Sequence, residues 1–149
     1  MSAVEEQDYF FLDTNVLVYV FDNDSPTKQA IARKLVGSAL RTRRGTISTQ
    51  VVQEFIHLAL RKFHRPMSVT ECREHLQTVL IPLCRHFPSA SYYDRALLVM
   101  QETTFSFYDV LILTAAIESG CQTLYTEDFQ HGRVVHGVRI TNPFLPGTV

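Results

Sequence analysis

The chain has 149 residues, 46% of them hydrophobic and 19% charged, with 14 Lys and Arg against 15 Asp and Glu and a formal net charge of -1 at pH 7. That size and balance describe one compact domain with a core of its own, and exclude a disordered chain. Near-neutrality also excludes attraction of the whole molecule to nucleic acid, so any phosphate contact has to come from local patches.

Three cysteines, Cys72, Cys84 and Cys121, form no CxxC pair and no even-numbered framework. This favours a reducing compartment, with the thiols as small core residues. After Met1 the polar, acidic SAVEEQD lacks the basic start and apolar stretch of a signal peptide. No apolar run approaches the roughly 20 residues of a membrane helix. The expectation is a cytoplasmic protein with no membrane attachment.

In chain order, residues 9–12 (YFFL) predict a short buried strand, apolar on both faces. Asp13 follows it at once, and a charge at the edge of a core must be paired, protonated or used to hold a cation. Residues 13–21 predict a helix broken by Asp22-Asn23-Asp24. Ser25 before Pro26 starts another, to about Ala39, and Gly45 opens a strand over 46–48. Thr49 caps a helix to about Phe63, with Val51, Val52, Phe55, Leu58 and Ala59 at helical spacing. Ser68 and Glu71 form a capping box for a helix to about Leu80, and residues 82–86 hold a short strand. Ser89 or Ser91 begins a helix ending near Thr103. Ser106 and Asp109 form a second box ahead of an apolar helix over 110–117, closed by Gly120. Residues 122–125 and 138–141 predict the last strands. Alternating strands and helices imply a single α/β domain, a three-layer α/β/α arrangement around a mainly parallel sheet of four to five strands.

Sites in such sheets lie outside the carboxyl ends of the strands. Asp13 ends the first strand, Glu54 lies early in a helix at the edge of its apolar stripe, Asp109 sits in the first turn of the apolar helix, and Asp128 follows the strand after it. Singly, each has a plain explanation as a cap, a turn or a surface acid. Together they can gather at one edge, where like charges raise one another's pKa values unless something positive lies between them. No Lys or Arg adjoins any of them in sequence. Hard divalent cations, Mg²⁺ or Mn²⁺, fit the ligand type, and phosphodiester hydrolysis is the chemistry such a site supports. The basic runs Arg41, Arg43, Arg44 and Arg61, Lys62, Arg65 are either solvated surface or contacts for an RNA backbone. His131 and His136 read as loop residues, Glu127 as a neighbour of Asp128 that points elsewhere or assists it, and Phe105, Phe107 and Phe129 as core or groove lining.

FLDTNVLVY, VVQEF, SFYDVLILTAA and LYTEDFQHG, in that order, resemble the PIN-domain ribonucleases and most closely the VapC-like toxins of type II toxin–antitoxin pairs. The resemblance covers nearly the whole chain. It implies that Asp13, Glu54, Asp109 and Asp128 are catalytic, with Asp13 and Asp109 on Mg²⁺ or Mn²⁺ and Glu54 and Asp128 joining directly or through water. Asn15 would orient Asp13, and Thr126 would offer a hydroxyl. It further implies an RNA substrate, a homodimer and a VapB-like antitoxin that covers the site. A haloacid-dehalogenase-like phosphatase also begins with an Asp after a strand, but needs an acid where Asn15 stands. The other alternative is a non-catalytic RNA-binding or assembly module on the same fold, against which the intact acids argue.

Overall fold

Phe10, Phe11 and Leu12, all buried, form β1 (Phe10–Leu12) at the middle of a six-stranded sheet in the computed structural model, which describes residues 8–149. The SAVEEQD segment lies outside the described residues up to Gln7. β1 pairs in parallel with β2 (Gly45–Ser48) on one side and β4 (Thr123–Tyr125) on the other. β3 (Cys84–His86) extends the sheet beyond β2; beyond β4 come β6 (Val138–Thr141) and then β5 (Val134–Val135). Every pairing is parallel except β5 with β6. The order β3-β2-β1-β4-β6-β5 therefore reverses its direction of winding at β1. Such a reversal leaves a crevice at the carboxyl ends of the two strands that flank it.

Helices cover both faces. α1 (Thr14–Tyr19) and α2 (Pro26–Thr42) connect β1 to β2, and α1 packs on both α2 and α3 (Thr49–Arg61). α6 (Ala90–Gln101) packs on α7 (Phe107–Glu118), which lies against β4 and β6. In α7 every residue from Val110 to Ala116 is buried, which is why its sequence is apolar all round. Gly45 sets the spacing between α2 and β2. A Cβ there would stand 2.3 Å from Ala39 Cβ and 2.6 Å from Phe10 Cε2.

Two expectations needed correction. The helix from Ser68 keeps α-geometry only through α4 (Val69–His75), widens into a π-helical segment over Leu76–Leu80, and ends in one turn, α5 (Ile81–Leu83). Pro82 has no N–H to return and its ring presses on the carbonyl a turn earlier, a conflict that a widened turn relieves. Among the described residues the sheet has six strands, not four or five, because β5 turns back through His136 and Gly137, both at positive φ, to pair with β6. Cys72 and Cys121 are buried free thiols, and burial pushes the Cys121 thiol up to about 12, so it is an inert core residue. Among the described residues no helix is long and apolar enough to cross a membrane.

Candidate active site

Asp13 leaves β1 into the crevice. Its N–H donates to Tyr125 O across the β1–β4 boundary at 3.0 Å, and its carboxylate caps α1 by accepting from Thr14 N at 2.7 Å through Oδ1. Oδ2 accepts from the Thr126 hydroxyl at 2.8 Å. Both oxygens thus act as acceptors, the pattern of an ionised carboxylate. The side chain is nevertheless buried, and that desolvation, with repulsion from Asp128 and Glu54, outweighs the two hydrogen bonds and pushes the pKa up to about 7. The geometry is built for an anion in a place that disfavours one.

Thr126 is the hub that ties the other side. Its oxygen also accepts from Asn15 Nδ2 at 3.3 Å and from Asp128 N at 3.1 Å. The same Asn15 amide donates to Asp128 Oδ2 at 3.0 Å, so Asn15, Thr126, Asp13 and Asp128 form one network. Partial desolvation, then repulsion from Asp109 and Glu127, raises the Asp128 pKa against the Asn15 bond. Glu54 is raised by the same means, desolvation first and repulsion from Asp109 and Asp128 after it, while Gln50 opposes by donating to it.

Asp109 sits where its helix begins, with its N–H donating to Ser106 Oγ at 3.3 Å. At Ser68–Glu71 the cap is reciprocal, with bonds of 3.1 and 3.0 Å in the two directions. Asp109 makes no such return bond, so its carboxylate is not consumed by the cap and its charge acts on Glu54 and Asp128. The structure therefore gathers all four predicted acids into one electrostatic neighbourhood. Among the described residues no Lys or Arg pairs with any of them, and no three His, Cys, Asp or Glu side chains stand close enough to cage an ion as they are. The donors are carboxylates, an amide and a hydroxyl, all hard oxygen, which fits Mg²⁺ or Mn²⁺ and gives a softer ion no ligand.

Glu127 points away from this cluster. Lys28 Nζ holds it at 3.0 Å and the Tyr19 hydroxyl donates to it at 2.6 Å. Phe105 and Phe129 pack on each other with ring centroids 5.1 Å apart, while Phe107 and Tyr108 remain exposed beside Asp109. His136 pairs with Glu102 at 2.7 Å, and His131 Nδ1 accepts from Asn142 N at 2.9 Å. The basic runs separate. Arg44 precedes Gly45, which lies opposite Phe10, so Arg41, Arg43 and Arg44 stand at the amino edge of the sheet, away from Asp13. There Arg43 and Arg85 line a cavity of about 530 Å³ with Ala39, Leu40, Pro82 and Leu83. Arg61, Lys62 and Arg65 lie at the far end of α3; Arg61, seven positions after Glu54, falls on the same helix face about 10 Å along. Gln50, which bonds both Glu54 Oε1 and Tyr108 O, was missed by sequence reasoning, because only its spacing of four from Glu54 hints at it.

Comparison with curated protein sequences finds no match. Among solved structures, the chain resembles VapBC2 from Rickettsia felis bound to a DNA fragment from their promoter, at 20% identity and a TM-score of 0.55, over 88% of this chain and 96% of that one. It also resembles the Mycobacterium tuberculosis toxin VapC20, described as cleaving the sarcin–ricin loop, at 19% identity and a TM-score of 0.52, over 80% and 89% of the two chains. At such identities these likenesses speak for the fold. A family model described as PIN domain matches residues 10–136, through the strand that delivers Asp13 and the turn that carries Asp128. With that match and this sheet order, the chain belongs to the PIN domain family.

Proposed function

We propose that the protein is a metal-dependent endoribonuclease that hydrolyses RNA phosphodiester bonds, and that it is the toxin of a toxin–antitoxin pair. The observation that carries this is Asp13: a buried carboxyl with two hydrogen bonds written for the anion, repelled by Asp128 and Glu54, on both of which Asp109 acts in turn. Asp13 and Asp109 would hold Mg²⁺ or Mn²⁺, with Glu54 and Asp128 joining directly or through water. Such an ion, when bound, supplies positive charge to a phosphodiester oxygen and lowers the pKa of water.

The chain's own residues prepare the place for it. Thr126 and Asn15 fix Asp13 and Asp128 in relation to each other. Burial keeps water from Asp13, so that without a cation its carboxyl takes up a proton near neutrality. Glu54 and Asp128 are the exposed members, open to a water or a phosphate arriving from solvent.

The toxin role is supported by the fold shared with toxin structures and by an apolar groove between α3 and α4. Ile56, Leu60, Val69, Cys72 and Leu76 line it, and an amphipathic helix of a VapB-like antitoxin would fit there. We place the protein in the cytoplasm, as a homodimer. The test is cleavage of a structured RNA with Mg²⁺, with EDTA, and by the Asp109→Asn variant. Outer-shell changes at metal sites cost about 10- to 100-fold, so loss of a ligand should cost more. A fold likeness with RNA bound but never cut would favour the non-catalytic module instead; parental cleavage by Asp109→Asn would remove that acid from the site.

A further inference from the structure

We infer that Gln50 is a positioning residue of the nuclease site proposed above, an amide bracket that joins the Glu54 carboxylate to the helix carrying Asp109. Gln50 lies one turn before Glu54 on α3, and its Nε2 donates to Glu54 Oε1 at 2.9 Å. The same nitrogen donates to Tyr108 O at 3.3 Å, the carbonyl immediately before Asp109. α3 leaves the sheet after β2, whereas α7 enters it before β4. The two helices thus belong to opposite sides of the winding reversal, and this amide bridges them beside the acids.

The orientation of the amide is dictated by chemistry. Both neighbours are acceptors, so the nitrogen has to face them and the oxygen has to turn away. That oxygen, Oε1, is buried and has no hydrogen-bond partner among the described residues. An unpartnered buried carbonyl is unfavourable, and Met in the same space would avoid it. Glutamine's advantage at this position is therefore the bridge. Few side chains could replace it: Glu would set an acceptor against two acceptors, and Asn is one methylene shorter. A plain helix-stabilising pair at a spacing of four would need only the bond to Glu54. The second bond, to Tyr108, is what couples the two acids.

The test compares the intact parent chain with Gln50→Met and Gln50→Glu, which differ in shape and charge, and with Gln53→Met on the exposed face as control. Three measurements are made: Mn²⁺ affinity by electron paramagnetic resonance, kcat and KM on RNA at saturating Mg²⁺, and side-chain carboxyl ¹³C shifts in the metal-free protein. Both Gln50 variants should bind Mn²⁺ about 10-fold more weakly and lose about 10-fold in kcat with KM unchanged, the scale of an outer partner. The carboxyl signals of both Glu54 and Asp109 should move without metal. Gln53→Met should match the parent in all three. Parental Mn²⁺ affinity and kcat in both Gln50 variants would overturn the bracket. Should the parent itself neither bind Mn²⁺ nor cut RNA, the nuclease reading falls, and the metal-free signals alone decide the bracket. Movement of both would uphold it; a Glu54 signal that moves alone, or neither moving, would overturn it.

Discussion

Asp13 shows how a single residue can be stable in one ionic state and useful in the other. Without metal its carboxyl ionises only around pH 7, against 3.8 as the ordinary value, because burial disfavours the charge. A raised pKa favours the folded state in full below the unfolded value and loses that contribution as pH climbs through the folded one. The window is therefore about pH 4 to 7, and at 1.36 kcal/mol per unit the loss is about 4 kcal/mol. In EDTA the parent should melt at falling temperature across this window and level off above it, while Asp13→Asn shows a shallower slope. Glu54 and Asp128 shift the same way, so the difference in slope between the two proteins is the quantity to measure. Identical slopes would mean that Asp13 is not the titrating group. Replacement by Asn also carries its own burden, since its amide would face a Thr126 oxygen that already accepts twice.

Among the elements, those whose ends are set by local chemistry were legible. Ser68 and Ser89 cap the helices expected of them, and Ser25–Pro26 opens α2 as its sequence demands. What local chemistry does not encode was lost. β5 is two residues long and exists only because a turn returns it to β6. The Tyr19–Lys28–Glu127 contacts join positions up to 108 apart, beyond the reach of spacing arguments. Asp13, Asp109 and Asp128 were readable because each adjoins a strand exit or a helix start, places that topology sends to one edge; Glu54, beyond the first turn of α3, was legible only by its place at the edge of the apolar stripe. The Arg41–Arg44 run, which the sequence left open between solvated surface and RNA contact, is placed by the same logic, since a turn before a strand lies at the opposite edge. At Gly45, alone among the glycines, an added Cβ would meet neighbouring atoms within 4 Å. Gly45→Ala would drive a methyl into Ala39 and Phe10, and overpacking of this kind costs about 1–3 kcal/mol. The midpoint of urea unfolding should fall accordingly; an unchanged midpoint would show that α2 moves away from β2 freely.

At the scale of the whole molecule, a near-zero net charge conceals a polar object, with carboxylates at one edge of the sheet and arginines at the other. For RNA lying across the acidic edge, replacing Arg41, Arg43 and Arg44 together by Gln should leave the salt dependence of binding as it is. Replacing Arg61, Lys62 and Arg65 should flatten it by roughly 0.7 in log–log slope for each lost contact. Equal effects of the two sets would mean that the RNA wraps the molecule from edge to edge. The winding reversal at β1 has one further consequence, for a chain made from its amino terminus onward. Asp13 waits for Tyr125 and Thr126, the latter 113 positions later, before its N–H has a carbonyl and its Oδ2 a hydroxyl. A nascent chain holding Asp13, Glu54 and even Asp109 has half a crevice and no cutting edge. For the proposed ribonuclease, a product that stops short of residues 125 and 126 is therefore inert, however many of the earlier acids it carries, and activity begins only when that strand has closed against β1.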